Sequence, residues 1–112
     1  MTPTQSIIKF NTDRGLLTFN GPNEHAMLEE ELGELLHAIR TNDQYEIVDA
    51  LNDIRVIATG ALWKLGQDPD LSLMETCREI LSRTGAIGPE GKFIKDSIQS
   101  NLYVADYGLS QR

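Results

Sequence analysis

Residues 24–40 read Glu24-His25-Ala26-Met27-Leu28-Glu29-Glu30-Glu31-Leu32-Gly33-Glu34-Leu35-Leu36-His37-Ala38-Ile39-Arg40. Leu28, Leu32, Leu35, Leu36 and Ile39 recur at steps of three and four, the spacing that aligns side chains on one face of an α-helix. The stretch therefore predicts a long amphipathic helix, with Asn23 just ahead of it as a suitable N-cap. Thr41-Asn42-Asp43 breaks the period and supplies fresh capping groups, after which Gln44 to about Leu65 predicts a second long helix. Its core face is Ile47, Leu51, Ile54, Ala58, Leu62 and Leu65. Helices joined by so short a turn lie antiparallel.

Shorter elements flank this pair. Thr4 to Arg14, with Ile7, Ile8 and Phe10 as apolar anchors, predicts a first helix ended by Gly15, and residues 18–23 form a turn-rich linker. Gly66 to Pro69 stops the second long helix, and Asp70 or Ser72 is placed to cap a fourth from about Leu71 to Leu81. From Gly85 to Arg112 no period is sustained, so loops are expected there, with a short extended piece near Lys92 to Lys95. The expected fold is all-α: a helical bundle of two long and about two short helices with a loop-rich C-terminal segment, forming one domain over residues 1–112.

A chain of 112 residues is the length of one small domain, and 40% hydrophobic with 24% charged residues is a globular composition. The formal charge of −7 argues against tight binding to a nucleic-acid backbone. All of that excess lies in residues 1–74, which carry twelve acids and five bases. Between Glu24 and Asp53 there are nine acids, and Arg40 is the sole base. The single cysteine, Cys77, excludes an internal disulfide and a cysteine zinc cage, so a cytoplasmic setting is expected. Met1 to Lys9 has no export-signal pattern, and Thr59 and Gly60 interrupt the longest apolar stretch, Val56 to Trp63. Neither a signal nor a membrane span is expected.

The acids are patterned as well as numerous. At about 100° per residue, Glu30, Glu31 and Glu34 fall beside one another at the edge of the first apolar stripe. Glu46, Asp49 and Asp53 group in the same way on the next helix. A solvated face would intersperse Lys or Arg at i+4, and Glu30, Glu31, Glu34, Glu46 and Asp49 have none there. Taken singly, each of these acids is better read as solvated surface. Two spaced sets on antiparallel neighbours imply carboxylates crowded in one groove, where mutual repulsion calls for a compensating cation. Magnesium, with manganese as the alternative, suits hard oxygen ligands and leaves positions for substrate phosphates.

Glu31-x-x-Glu34, followed by Glu46-x-x-Asp49, resembles the ExxE…ExxD signature of the all-α, MazG-like nucleotide pyrophosphohydrolases. Glu30-Glu31-Leu32-Gly33-Glu34-Leu35, Asp49-Ala50-Leu51-Asn52-Asp53-Ile54, Gly60-Ala61-Leu62 and Leu65-Gly66 are similar to the branch akin to phosphoribosyl-ATP pyrophosphohydrolase. The likeness covers roughly residues 24 to 107. It implies a Mg²⁺-dependent hydrolase that cleaves a nucleoside triphosphate between the α and β phosphates, giving a nucleoside monophosphate and pyrophosphate. By matching position, Glu31, Glu34, Glu46 and Asp49 would be metal ligands. Glu30 and Asp53 would be further ligands, supporting groups or the base that accepts a proton from the attacking water.

Gly91-Lys92-Phe93-Ile94-Lys95 and Tyr103-x-x-Asp106 resemble the family's closing segment, whose lysines approach the phosphates. The branch carries Asn-x-x-Lys after the fourth helix where this chain reads Ile80-Leu81-Ser82-Arg83. Arg83, Lys92 and Lys95 are therefore the phosphate-contact candidates, although a solvated surface role is the commoner one for either lysine alone. The resemblance also implies dimers, often paired into tetramers, which would complete a thin core. The small residues around Gly60 are a candidate isologous contact.

Other signals are weaker. Gly85 to Lys92 lacks the spacing and the Ser or Thr of a phosphate loop. His25 and His37 read as surface or interface histidines, and Cys77 as a small hydrophobe. Asn11 and Trp63 are candidates for base contact, weighed below structural roles. Two other functions stay open: phosphoribosyl-ATP pyrophosphohydrolase itself, which the missing Asn-x-x-Lys disfavours, and a non-enzymatic acidic helical protein that contacts a basic partner.

Overall fold

The computed structural model describes residues 1–96 and 102–112. Among these the chain forms α1 (Pro3–Asp13), α2 (Gly21–Arg40), α3 (Gln44–Lys64), α4 (Pro69–Ser82), β1 (Gly85–Ile87) and β2 (Phe93–Lys95). The fold class is all-α, a helical bundle with two long and two short helices and a small two-stranded sheet. The chain divides into two compact units, Met1–Gly66 and Gln67–Arg112.

In the first unit α1 begins with a reciprocal cap. The Thr2 hydroxyl oxygen accepts from the Gln5 backbone N–H at 3.1 Å, and the Thr2 N–H donates to Gln5 Oε1 at 2.8 Å. The helix stops at Arg14, and Gly15 follows at φ +69°, a conformation that glycine adopts without steric cost. α2 starts earlier than expected: Asn20, not Asn23, is the N-cap, and its side chain accepts from the Asn23 N–H at 3.1 Å. Gly21 and Pro22 then fill the first two helical positions, where the missing N–H of proline is no loss. Asp43 caps α3 as the pattern suggested, accepting from the Glu46 N–H at 3.2 Å, while Asn42 takes the left-handed turn conformation at φ +54°.

Both α1 and α2 pack on α3. The buried apolar residues of this unit are alanines, Ala38 on α2 and Ala50 on α3. Small side chains thus take the most buried apolar positions of the two long helices. Leu28 and Leu35 are half-buried, as are Ile47, Ile54 and Leu62, whereas Leu32, Leu36, Ile39 and Leu51 are exposed. The apolar stripe is wider than one neighbouring helix can cover, so the expected core is only half formed within the chain. Gly60 is buried against α1, and a Cβ there would lie 2.6 Å from Asn11 Nδ2. Its close approach is used by α1 within the chain, while Ala58, two positions before it, is exposed.

In the second unit Asp68 caps α4, its Oδ1 accepting from the Asp70 and Leu71 N–H groups at 3.0 Å each. Pro69, expected as a stop, is the first residue of the helix, and neither Asp70 nor Ser72 is its cap. The extended piece expected near Lys92 to Lys95 is β2, paired antiparallel with β1 in the register Gly85↔Lys95, Ala86↔Ile94, Ile87↔Phe93. Strands of three residues are too short to show a period, so the sequence pattern alone reads β1 as loop. Of the loop expected to close the chain, residues 97–101 lie outside the described residues. The last residues return to the start of α4, where the Asp68 N–H donates to the Ser110 carbonyl at 2.8 Å.

Candidate active site

The antiparallel pairing of α2 and α3 brings acids that are 19 to 22 residues apart in sequence onto facing helices. Glu31, Glu34 and Asp53 each offer a carboxylate oxygen within 4.8 Å of the others. Glu31 and Asp53 are half-buried and Glu34 is exposed. The Oε2 atom of Glu31 is buried and accepts no hydrogen bond. Burial, followed by the adjacent Glu34, Asp53 and Glu30, pushes the Glu31 carboxyl up from the ordinary 4.5 to about 7. An ionised carboxylate would be disfavoured there without a positive partner.

A groove of about 640 Å³ opens beside this cluster, lined by Glu30, Glu34 and Glu46 together with His37, Thr41 and Asp43. Glu34 belongs to both the cluster and the groove, so the two form one acidic region. Glu30, Glu46 and Asp49 are exposed. Asp49 lies between Glu46 and Asp53 on α3, outside both the three-carboxylate cluster and the groove lining. His37, which the sequence reads as a surface or interface histidine, is exposed and lines the groove. It stands three positions after Glu34, one turn along the same face, and that spacing was the available signal.

The donor set tests the implied cation. Three hard oxygens converge, one of them an unpartnered buried atom, and no cationic side chain forms an ion pair with them among the described residues. These are the features that a small divalent ion satisfies, since it neutralises the repulsion and occupies the vacant acceptor.

The second unit contains the other three candidates. Arg83 pairs with Glu79, its Nη2 lying 3.3 Å from Glu79 Oε2. Lys92 and Lys95 are exposed and form no ion pair among the described residues. Glu75, by contrast, is buried and fully engaged. It accepts from the Tyr103 hydroxyl, from the Asp106 N–H at 3.1 Å and from Arg78 Nη1 at 2.6 Å. The Tyr103 hydroxyl first, then the Asp106 amide, hold its carboxyl below the usual range. Tyr103 and Asp106, expected in a closing segment, therefore fasten the chain end to α4. No helix among the described residues is long and apolar enough to cross a membrane.

A family model described as phosphoribosyl-ATP pyrophosphohydrolase matches residues 15–82. That span covers α2, α3 and α4 and every carboxylate of the acidic region. No curated protein matches the chain.

Proposed function

Because the chain belongs to the phosphoribosyl-ATP pyrophosphohydrolase family, whose members are MazG-like hydrolases of acid anhydrides, we propose that it is a Mg²⁺-dependent nucleoside triphosphate pyrophosphohydrolase. It cleaves between the α and β phosphates and releases a nucleoside monophosphate and pyrophosphate. The observation that carries this reading is the buried, unpartnered Glu31 oxygen within a cluster of three carboxylates. Manganese is the alternative ion.

In this reading Glu31, Glu34 and Asp53 hold the cation, and Glu46 and Asp49 complete the ligand set along α3. A divalent ion bound there would offset the charge of the polyphosphate and lower the pKa of a bound water. The protein's own residues position and exclude. α2 and α3 fix the carboxylates on rigid backbones, and Glu30, exposed on the groove wall, accepts the proton of the attacking water. Arg83, Lys92 and Lys95 are the proposed phosphate contacts, on the strength of the closing-segment resemblance. A homodimer or homotetramer is proposed as the working unit, supported by the uncovered apolar stripe of Leu32, Leu36 and Ile39.

The matched family favours a second reading, hydrolysis of phosphoribosyl-ATP, which breaks the same type of bond. One assay tests both. The purified chain is incubated with the eight common nucleoside triphosphates and with phosphoribosyl-ATP, with Mg²⁺, with Mn²⁺ or with chelator, and pyrophosphate release is measured. Release from triphosphates that depends on a divalent ion supports the first reading, and release from phosphoribosyl-ATP alone replaces it with the second. No release from any of them overturns both.

A further inference from the structure

Within the second unit the returning chain end lies against the last turns of α4, and the Glu79 side chain there makes two contacts at once. Its Oε1 accepts from the Ala105 backbone N–H at 3.1 Å. Its Oε2 lies 3.3 Å from Nη2 of Arg83, four residues further along the chain. The side chains of the pair are 20% and 30% exposed, so the contact is partly shielded from water. The Glu79 carbonyl also accepts from the Ser82 hydroxyl at 2.7 Å, and that hydroxyl oxygen accepts from the Tyr103 N–H at 2.9 Å. One residue thus joins Arg83 to the segment that contains Tyr103, Ala105 and Asp106.

This arrangement differs from an ordinary surface pair. An isolated carboxylate and guanidinium gain little, because two long side chains must both be ordered for one contact. Here the Ala105 amide already holds the carboxylate, so the ordering cost of the pair falls mainly on Arg83. Arg83 is the C-cap of α4, with an extended backbone at φ −63° and ψ 138°. The chain leaves the helix at this residue, and the ion pair keeps its side chain tied to α4. A guanidinium carries five donors in a rigid planar fork, so its geometry suits holding a carboxylate with one nitrogen and turning another edge to a phosphate. Fixing one nitrogen of a planar group restricts where the rest of it faces. A lysine ammonium, a point charge on a flexible stem, gains no such direction from the same contact.

Resting on the hydrolase reading above and on Arg83 as one of its phosphate contacts, we infer that Glu79 is a positioning residue, which the Ala105 amide holds in place and which orients the Arg83 guanidinium for the substrate's phosphates. Glu79 touches no substrate in this scheme and acts through Arg83 alone. Its contribution is to binding: a guanidinium ordered beforehand loses less freedom when the phosphate arrives. An interaction of that kind is present in the ground state and the transition state alike, so its loss raises KM and spares kcat.

The test uses Glu79→Gln, which keeps the size and an acceptor for the Ala105 N–H but removes the charge that holds Arg83. On the nucleotide that the full chain hydrolyses best, this variant should raise KM about 2- to 10-fold, the affinity that ordering one long side chain is worth, with kcat nearly unchanged. In an Arg83→Gln background the same substitution should change neither constant further. A second readout needs no turnover. The Arg83 Nε–Hε resonance of ¹⁵N-labelled protein, assigned by its loss in Arg83→Gln, is followed as inorganic pyrophosphate is added with Mg²⁺. It should shift in the wild type, and Glu79→Gln should need about 2- to 10-fold more pyrophosphate for the same shift. An Arg83 signal that ignores pyrophosphate, or titrates identically in Glu79→Gln, overturns the inference, and pyrophosphate release from nucleotides would then leave the hydrolase reading standing without it. A Glu79→Gln variant that merely melts lower, or loses the same activity whether or not Arg83 is present, shows a structural fastener and also overturns it. If Glu79→Gln weakens the pyrophosphate response but the wild type hydrolyses no nucleotide, the positioning of Arg83 survives and the hydrolase reading falls.

Discussion

Glu24 and Lys64, forty residues apart, meet at 2.6 Å with their side chains only 7% and 10% exposed, which ties the first turn of α2 to the last turn of α3. The pair fixes the antiparallel register that sets Glu31 and Glu34 opposite Asp53. Removing one partner leaves an uncompensated buried charge, whereas removing both leaves none. Lys64→Met should therefore destabilise the chain by about 3–5 kcal/mol, and Glu24→Leu combined with Lys64→Met should recover most of that loss. Denaturant unfolding of the two single variants and the double variant measures the coupling. Additive losses would show that the pair does not act as a unit.

The Glu31 carboxyl, raised by burial and by its acidic neighbours to about 7, makes the metal-free protein sensitive to pH. Its folded-state pKa lies above the ordinary 4.5, so the native state binds the extra proton between these values. The stabilisation is fully present below about 4.5 and is lost as pH rises through about 7. The melting temperature without metal should fall across that window, and Glu31→Gln should flatten the fall. Added Mg²⁺ should reverse it in the wild type, because a bound cation favours the ionised carboxylate. A wild-type profile that is level across the window, with or without metal, would contradict this account of Glu31.

Asp53 and Asp49 separate the geometry from the motif. By position in the signature Asp49 is the expected ligand, yet Asp53 is the acid whose oxygen lies with those of Glu31 and Glu34. Asp53→Asn should weaken metal affinity by at least about 10- to 100-fold, the loss that follows removal of even an outer partner of a metal ligand. Titration with Mg²⁺ or Mn²⁺, followed by calorimetry and by activity, checks this. Comparison with Asp49→Asn shows whether both acids engage the ion or whether one of them dominates.

The long helices, their turn and the acidic character of the region were legible in the sequence, because Leu28 to Ile39 and Ile47 to Leu62 carry a strong period and Asp43 an unambiguous cap. The helix starts at Asn20 and Asp68 were misplaced because Pro22 and Pro69 look like breakers until their place in the first turn is known. The partner strand β1 has three residues and no pattern to read. Asn11 was legible only as a helix-end amide, and its meeting with Gly60 depends on a contact between residues 49 positions apart. His37 and Asp53 show the same limit: helical spacing gives each its face but not the neighbour across the helix pair.

The exposed half of the apolar stripe yields the last prediction. Leu32, Leu36 and Ile39 on α2 are each about half exposed, at 54%, 47% and 55%. They lie at steps of four and three, so they form one continuous row. Such a row is stabilised when another surface removes it from water, by about 25 cal/mol per Å² of apolar area. In the proposed dimer a second copy would present the same row across a twofold axis, making the contact self-complementary. Leu36→Glu places a charge at the centre of that row and adds no strain to the exposed helix backbone. Sedimentation should show the wild type as a dimer or tetramer and Leu36→Glu as a monomer with unchanged helicity. A wild type that sediments as a fully active monomer would remove the oligomer from the proposal.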